Sequence, residues 1–177
     1  MNVGVVGYSG SVDSPLMKGI YETCLRLGEA LAENNHIVFC GGRDGVMELV
    51  SEGVKRANGT VVGVLPHEEV GNEYLSLRIR TPFDNITRSL VLIESCDVVV
   101  SVGGEVGTAI EVLMAYAKSK PVILLTGTGG WTDRFSEILI EGKYLDSRKN
   151  VIVMKATTVE EVIRMIEEIG RKRKWVK

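Results

Sequence analysis

The chain has 177 residues, 45% of them apolar, and a formal net charge of −2. That length suits one domain with a proper core. The near-neutral balance excludes a global pull towards nucleic acid or anionic membrane, and no apolar run reaches the roughly 18 residues that would span a bilayer.

The opening MNVGVVGYSG reads as a first strand, not a signal peptide, because no basic segment precedes a long apolar one. Strands are predicted at Val3–Val6, Ile37–Phe39, Val61–Leu65, Leu77–Thr81, Val98–Val102, Val122–Leu125 and Val151–Met154. Apart from Leu77–Thr81, which alternates charged and apolar residues, they are nearly all apolar. That is expected of parallel strands buried on both faces.

Between them lie helical patterns. Met17, Ile20, Cys24, Leu27 and Leu31 share one face, and Ser14-Pro15 supplies a cap and a first-turn proline. Further helices are expected at Val46–Ala57, Ile86–Glu94, Thr108–Lys118 and Arg134–Ile140, and a last stripe runs Val159, Val162, Ile163, Ile166, Ile169. Strand–helix alternation of this kind predicts a single α/β domain over 1–177, a parallel sheet with right-handed crossovers and helices on both faces. The run Arg171-Lys172-Arg173-Lys174 reads as a solvated helix end whose cations suit the helix dipole; the alternative is a nucleic-acid contact. Three widely spaced cysteines (Cys24, Cys40, Cys96) are a reduced, cytoplasmic pattern, not a disulfide framework. Glutamine is absent, and Lys and Glu are abundant, a tendency of thermophile proteins.

Open α/β sheets bind ligands beyond the carboxyl ends of their strands, and there the glycines collect. Four loops, Gly7-Tyr8-Ser9-Gly10, Gly41-Gly42-Arg43-Asp44-Gly45, Gly103-Gly104-Glu105-Val106-Gly107-Thr108 and Gly127-Thr128-Gly129-Gly130, are expected to converge on one rim. Glycine lets backbone amides approach a ligand, and a helix N-terminus just beyond attracts phosphate. Tight strand-to-helix turns also want glycine, so any one loop is ambiguous. Gly4-x-x-Gly7-x-x-Gly10 is not GxGxxG, and the second strand does not end in an acidic residue. A nicotinamide cofactor does not fit. There is no GxxxxGKS/T. His36 and His67 stand apart from each other and from any cysteine pair, so no metal site and no cofactor are expected.

Two charged residues lie near the rim. Glu111 falls in the first turn of a helix expected to open at Thr108, and Arg88 near the start of the preceding helix. A guanidinium and a carboxylate beside a phosphate cradle suit a phosphorylated sugar. Each has a plainer reading. Thr108-Ala109-Ile110-Glu111 is also a capping box, as is Thr158-Val159-Glu160-Glu161, and Arg88 by itself reads first as an exposed helix residue.

The stretch Gly103–Glu111 resembles the PGGxGTxxE motif of the LONELY GUY (LOG) proteins, long misannotated as lysine decarboxylases. Cys40–Met47 with Val61–Pro66 resembles their GGGxxGLM…GxVIGVxP stretch, and Asn85–Asp97 their arginine-bearing helix. The order continues through Trp131-Thr132-Asp133, so the resemblance spans nearly the whole chain. It implies a Rossmann-like doubly wound fold, a homodimer and a nucleotide-sized pocket. It also implies hydrolysis of a nucleoside 5′-monophosphate to free base and ribose 5-phosphate. Carried over by residue, Arg88 and Glu111 are the catalytic pair, and Gly103, Gly104, Gly107 and Thr108 hold the phosphate. Gly7, Ser9, Gly10, Gly41, Gly42, Gly45, Met47 and Gly127 complete the expected ligand rim. Nothing in the motif calls for a pyridoxal lysine. The sequence departs from the pattern at Val102 for proline, at Glu105-Val106 where one residue is usual, at Ser89 for lysine and at Cys40 for glycine. These departures resemble a branch that is also similar to molybdenum-cofactor carrier proteins. A non-catalytic carrier or sensor of a phosphorylated pterin or nucleotide is therefore the second expectation.

Overall fold

A computed structural model describes residues 1–174, with side chains described to Lys172. Seven strands and six helices follow one another. They are β1 (Asn2–Gly7), α1 (Pro15–Glu33), β2 (Ile37–Cys40), α2 (Val46–Arg56), β3 (Thr60–Leu65), β4 (Leu77–Arg80), α3 (Thr87–Glu94), β5 (Val98–Val102), α4 (Val106–Ala117), β6 (Val122–Leu125), α5 (Gly130–Ile138), β7 (Val153–Ala156) and α6 (Val159–Lys174). The sheet is wholly parallel in the order β4-β3-β2-β1-β5-β6-β7, the doubly wound Rossmann-like arrangement. The chain winds outward from β1 to β4, then returns beside β1 as β5 and winds the other way. The carboxyl ends of β1 and β5 are thus the topological switch point, where such sheets open a crevice.

Two apolar cores flank the sheet. The predicted α1 stripe is buried against α2 and α6, with Val3, Val5, Val38 and Val100 of the sheet. On the other face Leu92 and Ile93 of α3, Val112 and Ala115 of α4 and Phe135 of α5 pack on Val6, Val99, Val122 and Leu124. The two sets of strand residues alternate, so each inner strand feeds both cores. Ser14 caps α1 as expected, its hydroxyl accepting from the Met17 amide at 3.3 Å.

Several boundaries move. β7 lies two residues later than expected and α5 begins four earlier. The larger correction concerns α4, which opens at Val106 with Glu105 as N-cap, not at Thr108. Thr108 is therefore inside the first turn and cannot be the cap of a Thr108–Glu111 box. The second box behaves as one: the Glu161 amide donates to Thr158 Oγ1 at 3.2 Å, and the Glu161 carboxylate accepts from the Thr157 amide at 2.7 Å. The basic run from Arg171 closes α6, where Arg171 pairs with Glu167 at 3.6 Å; the side chains of Arg173 and Lys174 lie outside the described residues.

The β3–β4 connection, residues 66–76, is a parallel crossover without a helix. β4 is an exposed edge. This crossover folds back over the end of β2. The Asn72 amide donates to the Gly42 carbonyl at 2.8 Å, and Asn72 Nδ2 to the Arg43 carbonyl at 2.8 Å.

Candidate functional site

A cleft of about 200 Å³ opens at the switch point, lined by Gly7 and Ser9 at the end of β1, Arg43 and Met47 beyond β2, Asn85, Ile86, Arg88 and Ser89 at the start of α3, and Glu105, Gly107, Thr108, Ile110 and Glu111 at the start of α4. The loop after β1 thus forms its floor between two walls, one from β2 and one from β5.

The sequence-predicted pair meets here. Arg88 is only 5% exposed and Glu111 9%, so the reading of Arg88 as an exposed helix residue is overturned. Arg88 Nη1 faces Glu111 Oε1 at 3.5 Å, and Nε and Nη1 are buried without a hydrogen-bond partner. The guanidinium fits because residue 41 is glycine: a Cβ there would lie 2.5 Å from Arg88 Nη2. Buried donors without acceptors are costly, roughly 1–3 kcal/mol each. Two such donors on a residue that lines the cleft suit an anionic or oxygen-rich ligand.

Glu111 Oε1 also accepts from Ser89 Oγ at 2.8 Å. Burial pushes its carboxyl above the usual carboxylate range, opposed in part by the Arg88 charge and the Ser89 hydroxyl. Glu111 is therefore a cleft residue gripped by α3, not a helix cap.

The first turn of α4 supplies a second anion-seeking feature. No side chain caps it, and its first backbone hydrogen bond runs from Ala109 N to Glu105 O. The preceding amides of Val106, Gly107 and Thr108 project from the helix end, where the dipole favours negative charge. Gly107 lines the cleft with open space where a side chain would be.

Gly103 and Gly104 play a different part. Gly104 has φ +94°, and a Cβ there would collide with the Thr108 side chain. Both line a smaller cavity beside Tyr8 and Thr128, not the main cleft. The β6–α5 loop and the first turn of α5 buttress them. Gly103 N donates to Thr128 Oγ1 at 2.8 Å, Trp131 N to the Gly104 carbonyl at 2.9 Å, and Thr132 Oγ1 to the Gly103 carbonyl at 2.7 Å. Gly127 lies outside the cleft lining and its amide is held by Asp133 Oδ1 at 2.8 Å. The four glycine loops therefore do not share one rim. Those after β1, β2 and β5 surround the cleft, and the one after β6 braces the third.

Of the expected ligand residues, the structure brings Gly7, Ser9, Met47, Arg88, Gly107, Thr108 and Glu111 to the cleft. Gly10, Gly41, Gly42 and Gly45 shape the loops behind it. Sequence reasoning did not single out Arg43, Asn85 and Glu105 as cleft residues and noted Ser89 only as a departure. Ser89 carried one signal, its place beside Arg88 on a helix whose next face meets α4.

The SLOG cluster4 family model matches residues 1–163. The structural-genomics crystal structure of TM1055 is 59% identical with a TM-score of 0.93, covering 94% of this chain and 98% of that one. The molybdenum cofactor carrier protein of Chlamydomonas reinhardtii is 30% identical with a TM-score of 0.76, covering 96% of this chain and 98% of that one. A probable cytokinin riboside 5′-monophosphate phosphoribohydrolase of Oryza sativa subsp. japonica is 31% identical over 166 residues, which is 85% of this chain and 67% of that protein. With its doubly wound sheet, its glycine loop and its paired arginine and glutamate, the chain belongs to the SLOG cluster4 family, within the LOG-like proteins.

Proposed function

We propose that the cleft binds a nucleoside 5′-monophosphate, and that the chain hydrolyses its N-glycosidic bond to free base and ribose 5-phosphate. The observation that carries this reading is the buried Arg88–Glu111 ion pair, with Arg88 Nε and Nη1 lacking a hydrogen-bond acceptor, beside the uncapped start of α4. The phosphate sits on the α4 amides. Arg88 Nε and Nη1 donate to phosphate or ribose oxygens. Glu111 takes a proton from the attacking water, whose oxygen bonds to C1′ as the glycosidic bond breaks. The bonding electrons leave with the base, and Glu111 returns the proton to it. A carboxyl raised towards neutrality is a better general base than an ordinary one.

One relative is named for phosphoribohydrolase activity, which supports this reading, and another for carrying molybdenum cofactor, which supports the alternative. The second reading, a carrier of a phosphorylated pterin, is favoured by Ser89 where LOG enzymes have lysine. Incubation of the pure protein with a panel of nucleoside monophosphates, assayed for ribose 5-phosphate, separates them. Release supports the hydrolase; tight binding without release supports the carrier.

We also propose a homodimer through the outer faces of α3 and α4. Ile86 (54% exposed), Leu90, Leu113 and Val106 leave an apolar surface there. A stable monomer by light scattering at micromolar concentration contradicts it.

A further inference from the structure

We infer that Arg43 and Asn85 read the ring end of the ligand and select an oxo-ring, such as guanine, hypoxanthine or a pterin, over adenine. The inference rests on the phosphate seat proposed at α4 and names the ligand class of that same cleft. Arg43 and Asn85 line the cleft on the β2 side, and the α4 start lines it on the β5 side. In the sheet, β1 lies between β2 and β5. A ligand with its phosphate at α4 therefore crosses the floor at Gly7 and Ser9 and presents its far end to Arg43.

The donor pattern at that end is fixed by chemistry. Arg43 Nε pairs with Glu69 Oε2 at 3.3 Å, and Nη1 donates to Asn85 Oδ1 at 3.4 Å. Arginine has no acceptor, so Asn85 must turn its oxygen to Arg43. That leaves the Asn85 amide NH₂ and the rest of the guanidinium edge, which are donors only. A donor-only pair suits two adjacent acceptors. Guanine presents O6 and N7, and a pterin presents the equivalent carbonyl oxygen and ring nitrogen. Adenine presents N7 beside an N6 amino group, which sets donor against donor. The usual asparagine grip on adenine needs the amide oxygen, and here that oxygen is committed to Arg43. The other carboxylates at the cleft, Glu105 and Glu111, stand on the β5–α4 side.

The end is also built, not incidental. The helix-free β3–β4 crossover supplies Glu69 to orient the Arg43 side chain and Asn72 to hold the Gly42 and Arg43 carbonyls. One ligand chemistry thus fits both the nucleotide and the pterin readings of the family.

The test is calorimetric titration of the full chain with GMP, IMP, AMP, ribose 5-phosphate and 5-phosphoribosyl diphosphate. Any nucleotide that turns over is titrated again into Glu111→Gln. GMP and IMP are expected to bind on the order of tenfold or more tighter than AMP. Arg43→Met should erase that preference while ribose 5-phosphate affinity stays. Equal or tighter AMP binding overturns the inference, as does a preference that survives Arg43→Met. Phosphoribosyl diphosphate binding tighter than GMP in an Arg43-dependent manner assigns Arg43 to a second anion and also overturns it. Nucleotides that bind no tighter than ribose 5-phosphate defeat this inference alone. If ribose 5-phosphate and every nucleotide fail to bind, the phosphate seat falls as well.

Discussion

Ser89 Oγ lies 2.8 Å from Glu111 Oε1 and 3.1 Å from the Asn85 carbonyl oxygen, with one proton to give. It can serve only one acceptor at a time. An ionised Glu111 is the stronger acceptor, so the hydroxyl favours the carboxylate form and turns to Asn85 when Glu111 is protonated. Ser89→Ala removes this support. The Glu111 carboxyl, already raised by burial, then moves higher. The prediction is that the rise of kcat with pH shifts to higher pH in Ser89→Ala, while the backbone of α3 is unaffected. A pH–rate profile superimposable on wild type contradicts it.

Glu111→Gln tests the carboxylate itself. The folded-state pKa lies above the ordinary value because burial outweighs the help from Arg88 and Ser89. The folded protein therefore binds more protons than the unfolded chain between the two values, and stability falls as pH rises through that window. Glutamine mimics the protonated form. The variant is expected to be at least as stable as wild type at neutral pH, the difference closing as pH falls into the ordinary carboxylate range. Base release should drop by a factor on the order of 10² or more. Thermal unfolding across pH and a turnover assay check the two parts. A large loss of stability at neutral pH contradicts the electrostatic account.

Gly107 and Gly104 separate ligand space from turn geometry. Gly107→Ala meets nothing within 4 Å and lies in the first turn of α4. Its stability should hold or rise, by up to about 1 kcal/mol, while monophosphate affinity falls because the methyl enters the phosphate seat. Gly104→Ala forces a left-handed conformation and a clash with Thr108, and should cost about 1–3 kcal/mol of stability. Denaturant unfolding and calorimetry distinguish them. Unchanged affinity in Gly107→Ala argues that phosphate sits elsewhere.

Much of the fold was legible because apolar runs and helical stripes report burial directly. Val3–Val6, Val98–Val102 and the Met17–Leu31 face all lie where the pattern puts them. What the sequence hid was the use of individual polar residues. Thr108 and Thr158 head the same four-residue pattern, yet only Thr158 caps a helix. Thr108 falls inside the first turn, its side chain beside Gly104, because α4 opens two residues earlier at Val106. Gly127 resembles the other loop glycines in sequence, but Asp133 takes its amide. Arg43 reaches the cleft from a segment far in the chain from the one that carries Asn85 and Ser89, the two brought together by the fold. Only tertiary structure shows that Arg88 is buried, since a charged residue on a surface helix has the same sequence signature.

In the proposed function this cleft seats a phosphate through Arg88 and the start of α4. Calorimetric titration of wild type and Arg88→Met with a nucleoside 5′-monophosphate and with its nucleoside tests it most directly. Arg88→Met leaves the buried Glu111 carboxyl without its cation and is expected to unfold at a lower temperature than wild type, so the titration is made well below the unfolding transition of the variant. Wild type should bind the monophosphate at least about tenfold tighter than the nucleoside. At about 100 Kd the monophosphate should stabilise it by about 2.7 kcal/mol, and Arg88→Met should lose the difference. Equal affinity of wild type for nucleotide and nucleoside, or a phosphate preference that survives Arg88→Met, would contradict it.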